Sequence, residues 1–266
     1  MKKLMILSAV AAALISCSTT EVKTINVVPY PNEVTVKTGS FDICGADFHY
    51  DTKLDEATQN VIKSFACQLS LVTGQLSNAT AGLSGKGVKF VYEPSMGKEA
   101  YRLNISKNSV KVKASTLSGV NYAIQTLKQM LPAEVFGKQV AADADWTLQC
   151  AKIIDEPRFG YRGMHMDVSR HFFTVEEVKR YLDIMEVHKL NTLHWHLTDD
   201  QGWRLEIKKY PRLTEVGSIR NKTIIGHLFD SKTFDNTRYG EGCWYSQEEV
   251  KDILAYAASK GITVIP

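Results

Sequence analysis

The chain has 266 residues, of which 44% are hydrophobic and 23% are charged. This composition is typical of a globular protein that is long enough for two domains or one large barrel, and it argues against a largely disordered chain. The formal net charge is +3, and two of the positive charges are Lys2 and Lys3. We therefore expect no electrostatic binding of nucleic acid.

The amino terminus has the pattern of a secretory leader. Met1-Lys2-Lys3 precedes an apolar run over residues 4–15 that is too short to span a membrane well. The run ends at Leu14-Ile15-Ser16-Cys17, which resembles the lipobox of bacterial lipoproteins. We expect a lipoprotein signal peptide over residues 1–17, with lipidated Cys17 anchoring the protein in a bacterial cell envelope. An ordinary signal peptide cleaved nearby is the alternative, and the membrane face stays open.

Four further cysteines, Cys44, Cys67, Cys150 and Cys243, follow this leader. Their spacing fits no zinc pattern, and we expect no metal site. Disulfides are permitted in an oxidising compartment, but sequence alone does not decide which cysteines pair. Cys67 lies within an apolar helical run and is expected to be a small buried hydrophobe.

Residues 24–152 combine helical and strand patterns. Alternation over residues 25–36, interrupted by Pro29 and Pro31, predicts an edge strand. Helical spacing over residues 54–72 stops at Gly74, and a second helix is predicted over residues 118–131. Three short strands are predicted over residues 88–92, 101–105 and 110–113, the last two joined as a hairpin at Asn108-Ser109. No catalytic constellation is visible here, so we interpret this part as a non-catalytic α+β domain that braces its neighbour.

Residues 153–266 repeat a strand and helix unit. Strands are predicted over residues 161–168, 191–198 and 262–265. The first helix between them starts with a capping box of Thr174 and Glu177. The second helix starts with a capping box of Ser246 and Glu249 and ends at Gly261. Strands that alternate with capped helices indicate a parallel sheet.

Only three such strands are present, whereas a (β/α)8 barrel typically needs ~250 residues. An isolated set of three parallel strands would leave apolar surface uncovered. The predicted fold class is therefore α/β: an amino-terminal α+β domain followed by an incomplete (β/α)8 TIM barrel over residues 153–266. We expect this chain to be a fragment that carries the first three barrel strands.

Polar residues collect where the first two of these strands end. Arg170 follows the first strand and Asp199 follows the second. The carboxyl ends of parallel strands are where ligands bind in such folds. From residue type alone, Arg170 could equally be a structural ion-pair partner of Asp167 or Asp199, and Asp199 could be a loop-capping carboxylate.

Two histidines and a tryptophan nearby have competing interpretations. His194 and His196 share one face of a strand, but no third ligand accompanies them. Period-two alternation places them on the face opposite Asp199, so we expect hydrogen-bonded packing residues. Trp203 could stack on a sugar or brace the long polar loop over residues 199–245.

Two long runs carry a specific resemblance. Residues 167–172, Asp-Val-Ser-Arg-His-Phe, and residues 194–203, His-Trp-His-Leu-Thr-Asp-Asp-Gln-Gly-Trp, are similar to the family 20 glycoside hydrolases, the β-N-acetylhexosaminidases. Residues 99–103 and 119–127 resemble the domain that precedes the catalytic barrel in that family. The resemblance implies an enzyme that removes terminal non-reducing N-acetyl-D-hexosamine from β-N-acetylhexosaminides.

The resemblance also implies roles for single residues. Arg170 would grip hydroxyl groups of the terminal sugar, which suits a planar guanidinium with several donors. Asp199 would orient a catalytic-site histidine that lies beyond Pro266. The mechanism implied is substrate-assisted retention without a cofactor, in which the substrate's acetamido oxygen is the nucleophile.

The family's general acid belongs to an adjacent Asp-Glu pair on the fourth barrel strand, and both residues would lie beyond Pro266. We therefore expect this chain alone to be inactive. The expected partner is a glycan with terminal β-linked N-acetylglucosamine or N-acetylgalactosamine, and the preference between the two stays open. The alternative function is a non-catalytic glycan-binding lipoprotein of the envelope.

Overall fold

The computed structural model describes residues 24–226 and 233–266. The expected leader, with Cys17, lies outside the described residues. Within the described part of the chain, no helix is both long and apolar enough to cross a membrane.

The first domain is a seven-stranded sheet covered by helices on one face. Its elements are β1 (Glu33–Asp42), β2 (Phe48–Tyr50), α1 (Glu56–Thr73), β3 (Ala79–Ala81), β4 (Gly87–Tyr92), β5 (Tyr101–Ser106), β6 (Ser109–Ala114), α2 (Leu117–Met130) and β7 (Thr147–Asp155). A short 3-10 helix, Ala133–Phe136, follows α2. The strand order is β1-β7-β5-β6-β4-β2-β3, and β5 and β6 form the predicted hairpin.

Local caps explain where the two helices begin and end. Asp55 accepts a hydrogen bond from the backbone of Thr58 at the start of α1, and Gly74 ends α1 with a φ of 70°, as the sequence predicted. The buried stripe of α1 meets the sheet, where Phe65 and Phe90 both pack against Phe48. These aromatic rings belong to the larger of the two buried apolar clusters, whose burial stabilises the fold.

The structure corrects three expectations for this domain. The edge strand begins at Glu33 rather than at residue 25, because Pro29 and Pro31 have no N–H to donate to the ladder. Cys67 is exposed rather than buried, since it falls outside the stripe that α1 turns to the sheet. β7 was not predicted. It lies between β1 and β5 and runs to Asp155, so the expected boundary after residue 152 falls inside a strand.

The second part contains three parallel strands in the order β14-β9-β8, as predicted. Its main elements are β8 (Gly163–Asp167), α3 (Val175–Val187), β9 (Thr192–His196), α5 (Gln247–Ser259) and β14 (Thr263–Ile265). The connection from β9 to α5 contains β10 (Thr198–Asp199), β11 (Gly202–Trp203), α4 (Arg212–Glu215), β12 (Thr223–Ile224) and β13 (Phe234–Asp235). Both predicted capping boxes are present, at the starts of α3 and α5.

Polar groups join the two domains. Arg162 donates from Nη2 to Glu99 Oε1 at 2.6 Å and to the Tyr122 hydroxyl at 2.6 Å. Lys189, which is only 2% exposed, donates from Nζ to Asp155 Oδ2 at 2.9 Å and to the hydroxyl of Tyr101 at 2.9 Å. Because Lys189 follows α3 and Asp155 ends β7, this contact fixes α3 against the first domain.

Candidate functional site

A cluster of polar side chains lies where β8 and β9 end. Asp167 is the last residue of β8, His196 is the last residue of β9, and the two are paired neighbours in the sheet. Arg170 and Asp199 follow three residues after the respective strand ends. The parallel arrangement thus brings together groups from two loops, as expected for the carboxyl edge of such a sheet.

The guanidinium of Arg170 is the centre of this cluster. Nη1 donates to Asp167 Oδ2 at 2.9 Å, Nη2 lies 2.9 Å from Asp199 Oδ2, and Nε donates to Gln201 Oε1 at 2.7 Å. Nη1 also lies 3.2 Å from His196 Nδ1. The structure therefore brings the two predicted site residues, Arg170 and Asp199, into direct contact. Both ion pairs considered from sequence, to Asp167 and to Asp199, are formed.

His196 occupies a position that the alternation argument predicted wrongly. Its Nε2 lies 3.1 Å from Asp199 Oδ2, so the two residues share one side of the sheet edge. The reason is that β9 ends at His196, and the chain then turns into the short β10–β11 hairpin. Strict alternation does not extend as far as Asp199. His194 is exposed and packs edge-on against His165, with ring centroids 4.6 Å apart.

The electrostatics of the cluster favour two ionised carboxylates. Burial alone would raise the pKa of Asp167, but hydrogen bonds from the Arg170 backbone and side chain outweigh it and lower that pKa. The pKa of Asp199 is lowered by the backbone N–H of Asp200 and by the charge of Arg170. The site is thus a cation held between two anions, and its Arg170 side chain stays 43% exposed.

The long connection after β9 is fastened to the site by two arginines. Arg204 is fully buried, and within the described part of the chain its guanidinium donates to backbone carbonyls alone: those of Val168 (3.2 Å), Ser169 (2.9 Å), Ser218 (2.6 Å) and Cys243 (2.9 Å). Arg220 donates to the carbonyl of Gln201 at 2.9 Å and to the carbonyl of Arg170. The loop and the strand-end cluster are therefore one connected unit.

Trp203 braces this connection. Its Nε1 donates to the carbonyl of Leu205 at 2.6 Å, and its backbone N–H donates to Gly217 at 2.9 Å. Of the two roles considered from sequence, the structure shows the bracing contact.

The cluster can bind hydroxyl groups. A guanidinium has five N–H donors; in Arg170, Nε and Nη1 donate to Gln201, Asp167 and His196, while Nη2 forms an ion pair with Asp199. The second Nη2 hydrogen has no acceptor among the described residues. Because the fork is fixed on three sides, its remaining donor and the exposed carboxylate of Asp199 present a preformed pair of donor and acceptor.

Sequence reasoning missed Gln201, His196, Arg204 and Arg220 as parts of this site. Gln201 stands inside the run that carried the family resemblance, which was an available signal. The partners of Arg204 are main-chain carbonyls spread over residues 168–243, and no side-chain pattern marks such acceptors.

The two-domain order and the polar carboxyl edge of the parallel sheet define a two-domain α/β protein that carries part of a (β/α) barrel. Comparison with family models agrees with this architecture. Residues 24–156 match the model described as glycosyl hydrolase family 20, domain 2, and residues 159–266 match the family 20 catalytic domain. The chain belongs to glycosyl hydrolase family 20, with the family's second domain followed by part of its catalytic domain.

Named relatives cover nearly all of this chain. A beta-hexosaminidase of Porphyromonas gingivalis is 37% identical over 257 residues, which is 92% of this chain and 30% of the relative. The structure of the Streptomyces plicatus N-acetyl-beta-hexosaminidase with Thio-NAglucal is 32% identical with a TM-score of 0.76, covering 90% of this chain and 45% of that one. A Vibrio harveyi exo beta-N-acetylglucosaminidase bound to N-acetylglucosamine is 36% identical with a TM-score of 0.72, covering 92% of this chain and 37% of that one. The chain thus spans less than half the length of these relatives.

Proposed function

We propose that this chain carries the sugar-binding part of a β-N-acetylhexosaminidase that removes terminal non-reducing N-acetyl-D-hexosamine from glycans. The observation that carries the proposal is the Arg170 guanidinium, held by Asp167, Asp199 and Gln201 at the carboxyl edge of the parallel sheet. The names of the relatives, beta-hexosaminidase and N,N'-diacetylchitobiase, support the same substrate class.

Each group has a defined role in the proposal. Arg170 donates to hydroxyl oxygens of the terminal sugar, and Asp199 fixes the guanidinium while keeping a carboxylate at the sugar's edge. Asp199 also holds the imidazole of His196 at 3.1 Å, and a second histidine from outside these residues is expected to meet the same carboxylate. Asp199 is not the proton donor in this proposal, because the backbone N–H of Asp200 and the charge of Arg170 lower its pKa and keep it ionised.

The proposed reaction is substrate-assisted hydrolysis with retention. The oxygen of the substrate's 2-acetamido group attacks the anomeric carbon while a carboxylic acid protonates the leaving glycosidic oxygen. Water then attacks the anomeric carbon of the resulting oxazoline, which restores the acetamido group. We propose that the acid and the acetamido-orienting aspartate come from sequence outside residues 1–266, so that this chain alone does not hydrolyse the substrate.

The cellular location in the proposal is the bacterial envelope, with the protein anchored through lipidated Cys17. The lipobox-like residues 14–17 support it. A Cys17→Ala variant should move from the membrane to the soluble fraction. Unchanged fractionation would refute the proposed lipid anchor.

The activity is tested with a chromogenic N-acetylglucosaminide. The 266-residue chain should release no chromophore, whereas the product of a reading frame extended into a fourth strand with an Asp-Glu pair should release it. Release by the chain alone would overturn the assignment of the acid. A lack of release by the extended protein, together with retained binding of N-acetylglucosamine, would favour the non-catalytic glycan-binding alternative.

Inhibition by a thiazoline distinguishes the mechanism. This ring mimics the oxazoline formed by acetamido attack, so a substrate-assisted site should bind it far more tightly than substrate. A site in which an enzyme carboxylate is the nucleophile would have no such preference.

A further inference from the structure

The seven-stranded sheet of the first domain has one face that no helix of the described residues covers. α1 and α2 pack on the opposite face, where the strands' apolar side chains are buried. One line of paired residues crosses all seven strands on the open face. In strand order it consists of Thr35, Lys152, Asn104, Lys111, Lys89, His49 and Thr80. We call these seven residues the lysine row.

The lysine row is cationic without an interleaved acid. Lys152, Lys111 and Lys89 belong to it. A fourth lysine, Lys37, lies beside the row, because its Nζ donates to Asn104 Oδ1 at 3.2 Å. Neighbouring strands lie about 4.8 Å apart, so the three strand steps from Lys152 to Lys89 span about 14 Å. Four lysines are therefore gathered on one face of the sheet, where each alone would be an ordinary solvated lysine.

Asp42 of β1 lies on this face beyond the row, paired with Thr147, and a further acidic residue, Glu33, lies on the neighbouring line of the same face. Paired residues there run from Glu33 through Ile154 and Arg102 to Lys113. Glu93 Oε2 accepts from Lys113 Nζ at 3.1 Å, so this acid is already paired with a cation outside the lysine row. The positive charge of the row thus remains uncompensated by the described side chains beside it.

The polar side chains of the row define the kind of partner. Thr35 and Asn104 place a hydroxyl and an amide between or beside the cations, and such groups exchange hydrogen bonds with sugar hydroxyls. No residue of the row is Phe, Tyr or Trp, the side chains on which single-stranded nucleic acids stack. None of the exposed large apolar side chains lies on the strands of this sheet, whereas interfacial membrane binding needs an apolar surface next to the cations.

We propose that the lysine row binds a linear polyanionic polysaccharide. The row belongs to the first domain, and Arg170 belongs to the edge of the other sheet. The lysine row is therefore a binding surface for acidic glycan chains outside the hexosamine site. This proposal does not depend on the function proposed above.

The test measures binding of the purified chain to heparin, with uncharged dextran as the neutral counterpart, at physiological ionic strength. Replacing Lys89, Lys111 and Lys152 together by Gln should weaken heparin binding on the order of tenfold or more and should reduce the salt dependence. The control replaces Lys63, Lys208 and Lys251 by Gln. These three lysines are exposed on other elements, and the change in net charge is identical.

The expected result is heparin binding that the row variant loses and the control variant keeps, with no binding to dextran. Equal weakening in both variants would show a general charge effect and overturn the proposal, as would unchanged binding by the row variant. Vesicles containing phosphatidylglycerol and duplex DNA are the remaining arms. Row-dependent binding that is tighter to either of them than to heparin would also overturn it. Circular dichroism of both triple variants verifies that the fold is retained.

Discussion

Arg170 and Asp199 come from the loops after two neighbouring parallel strands, and Nη2 of the first lies 2.9 Å from Oδ2 of the second. Asp167 and Gln201 hold the same guanidinium from its other sides. A side chain fixed in this way has little rotamer entropy left to lose when a ligand binds. The contact is consequently both an ion pair and a preorganised binding group.

Replacing Arg170 by Lys should keep the positive charge but remove the planar fork. In the protein that carries the complete catalytic domain, we expect kcat/KM for a β-N-acetylglucosaminide to fall by roughly 10- to 100-fold, from the loss of one or two hydrogen bonds involving a charged group. Steady-state kinetics measure this. Arg180→Lys, an exposed position on α3, is the control, and equal losses in the two variants would contradict a role for Arg170 in the site.

Arg204 should matter for the stability of the loop after β9. Arg204→Met keeps an apolar body but leaves the carbonyls of Val168, Ser169, Ser218 and Cys243 without their donor. Burial and the nearby charge of Arg220 lower the pKa of this guanidinium. We expect a loss of about 3–5 kcal/mol in the free energy of unfolding, measured by urea denaturation.

Hydrogen exchange localises the same effect. Amides of residues 199–245 should exchange faster in Arg204→Met, while those of the first domain should not change. The exposed Arg212 provides a matched variant, Arg212→Met, which should stay within about 0.5 kcal/mol of the parent. An equally small effect of Arg204→Met would show that water satisfies these carbonyls.

The buried pair of Lys189 and Asp155 should couple strongly. Their side chains are 3% and 11% exposed, so Asp155→Leu leaves a desolvated ammonium without its carboxylate and should cost about 3–5 kcal/mol. Adding Lys189→Met to that variant should restore part of the lost free energy of unfolding, because the unpaired charge is removed. A double-mutant cycle on the free energy of unfolding measures this coupling.

An exposed pair in the same chain supplies the comparison. Lys251 and Glu248 are 67% and 74% exposed although their N and O atoms are 2.8 Å apart. The coupling between them should be far smaller than that of the buried pair, because solvent screens the charges. Similar coupling in the two cycles would refute the idea that burial decides the strength of these contacts.

The parts of the fold that follow from local chemistry were predictable. The capping boxes at Thr174 and Ser246 and the stop at Gly74 depend on residues at most a few positions apart, and all three are present. β7 was missed because its apolar residues do not alternate regularly, which hides a strand buried between two others. Its place in the sheet is set by β1 and β5, which are distant in sequence.

In the candidate site, too, the features that depend on nearby residues were predictable, and those that depend on distant parts of the chain were not. Arg170 and Asp199 were found through the residues around them, and their contact followed from parallel strands ending at one edge. The position of His196 was predicted wrongly because alternation was extended past the end of β9. The role of Arg204 depends on where four carbonyls meet in space, and a sequence does not record that directly.

The contact between the domains should weaken in acid through Glu99. Burial alone would raise the pKa of Glu99, but hydrogen bonds from Arg162, Tyr122 and Asn191 outweigh it and lower that pKa below its ordinary value of 4.5. A carboxyl whose pKa is lowered by folding contributes stability above its unfolded value, and that contribution is lost as the pH falls through the folded value. The difference in unfolding free energy between the parent and Glu99→Gln should therefore be larger at pH 7 and should shrink toward pH 3. Urea denaturation across this range measures it.

Glu134→Gln is the control, since Glu134 is exposed and has no ion pair with any described residue. A difference for Glu99→Gln that grows as the pH falls would mean that the carboxylate does not hold the two domains together.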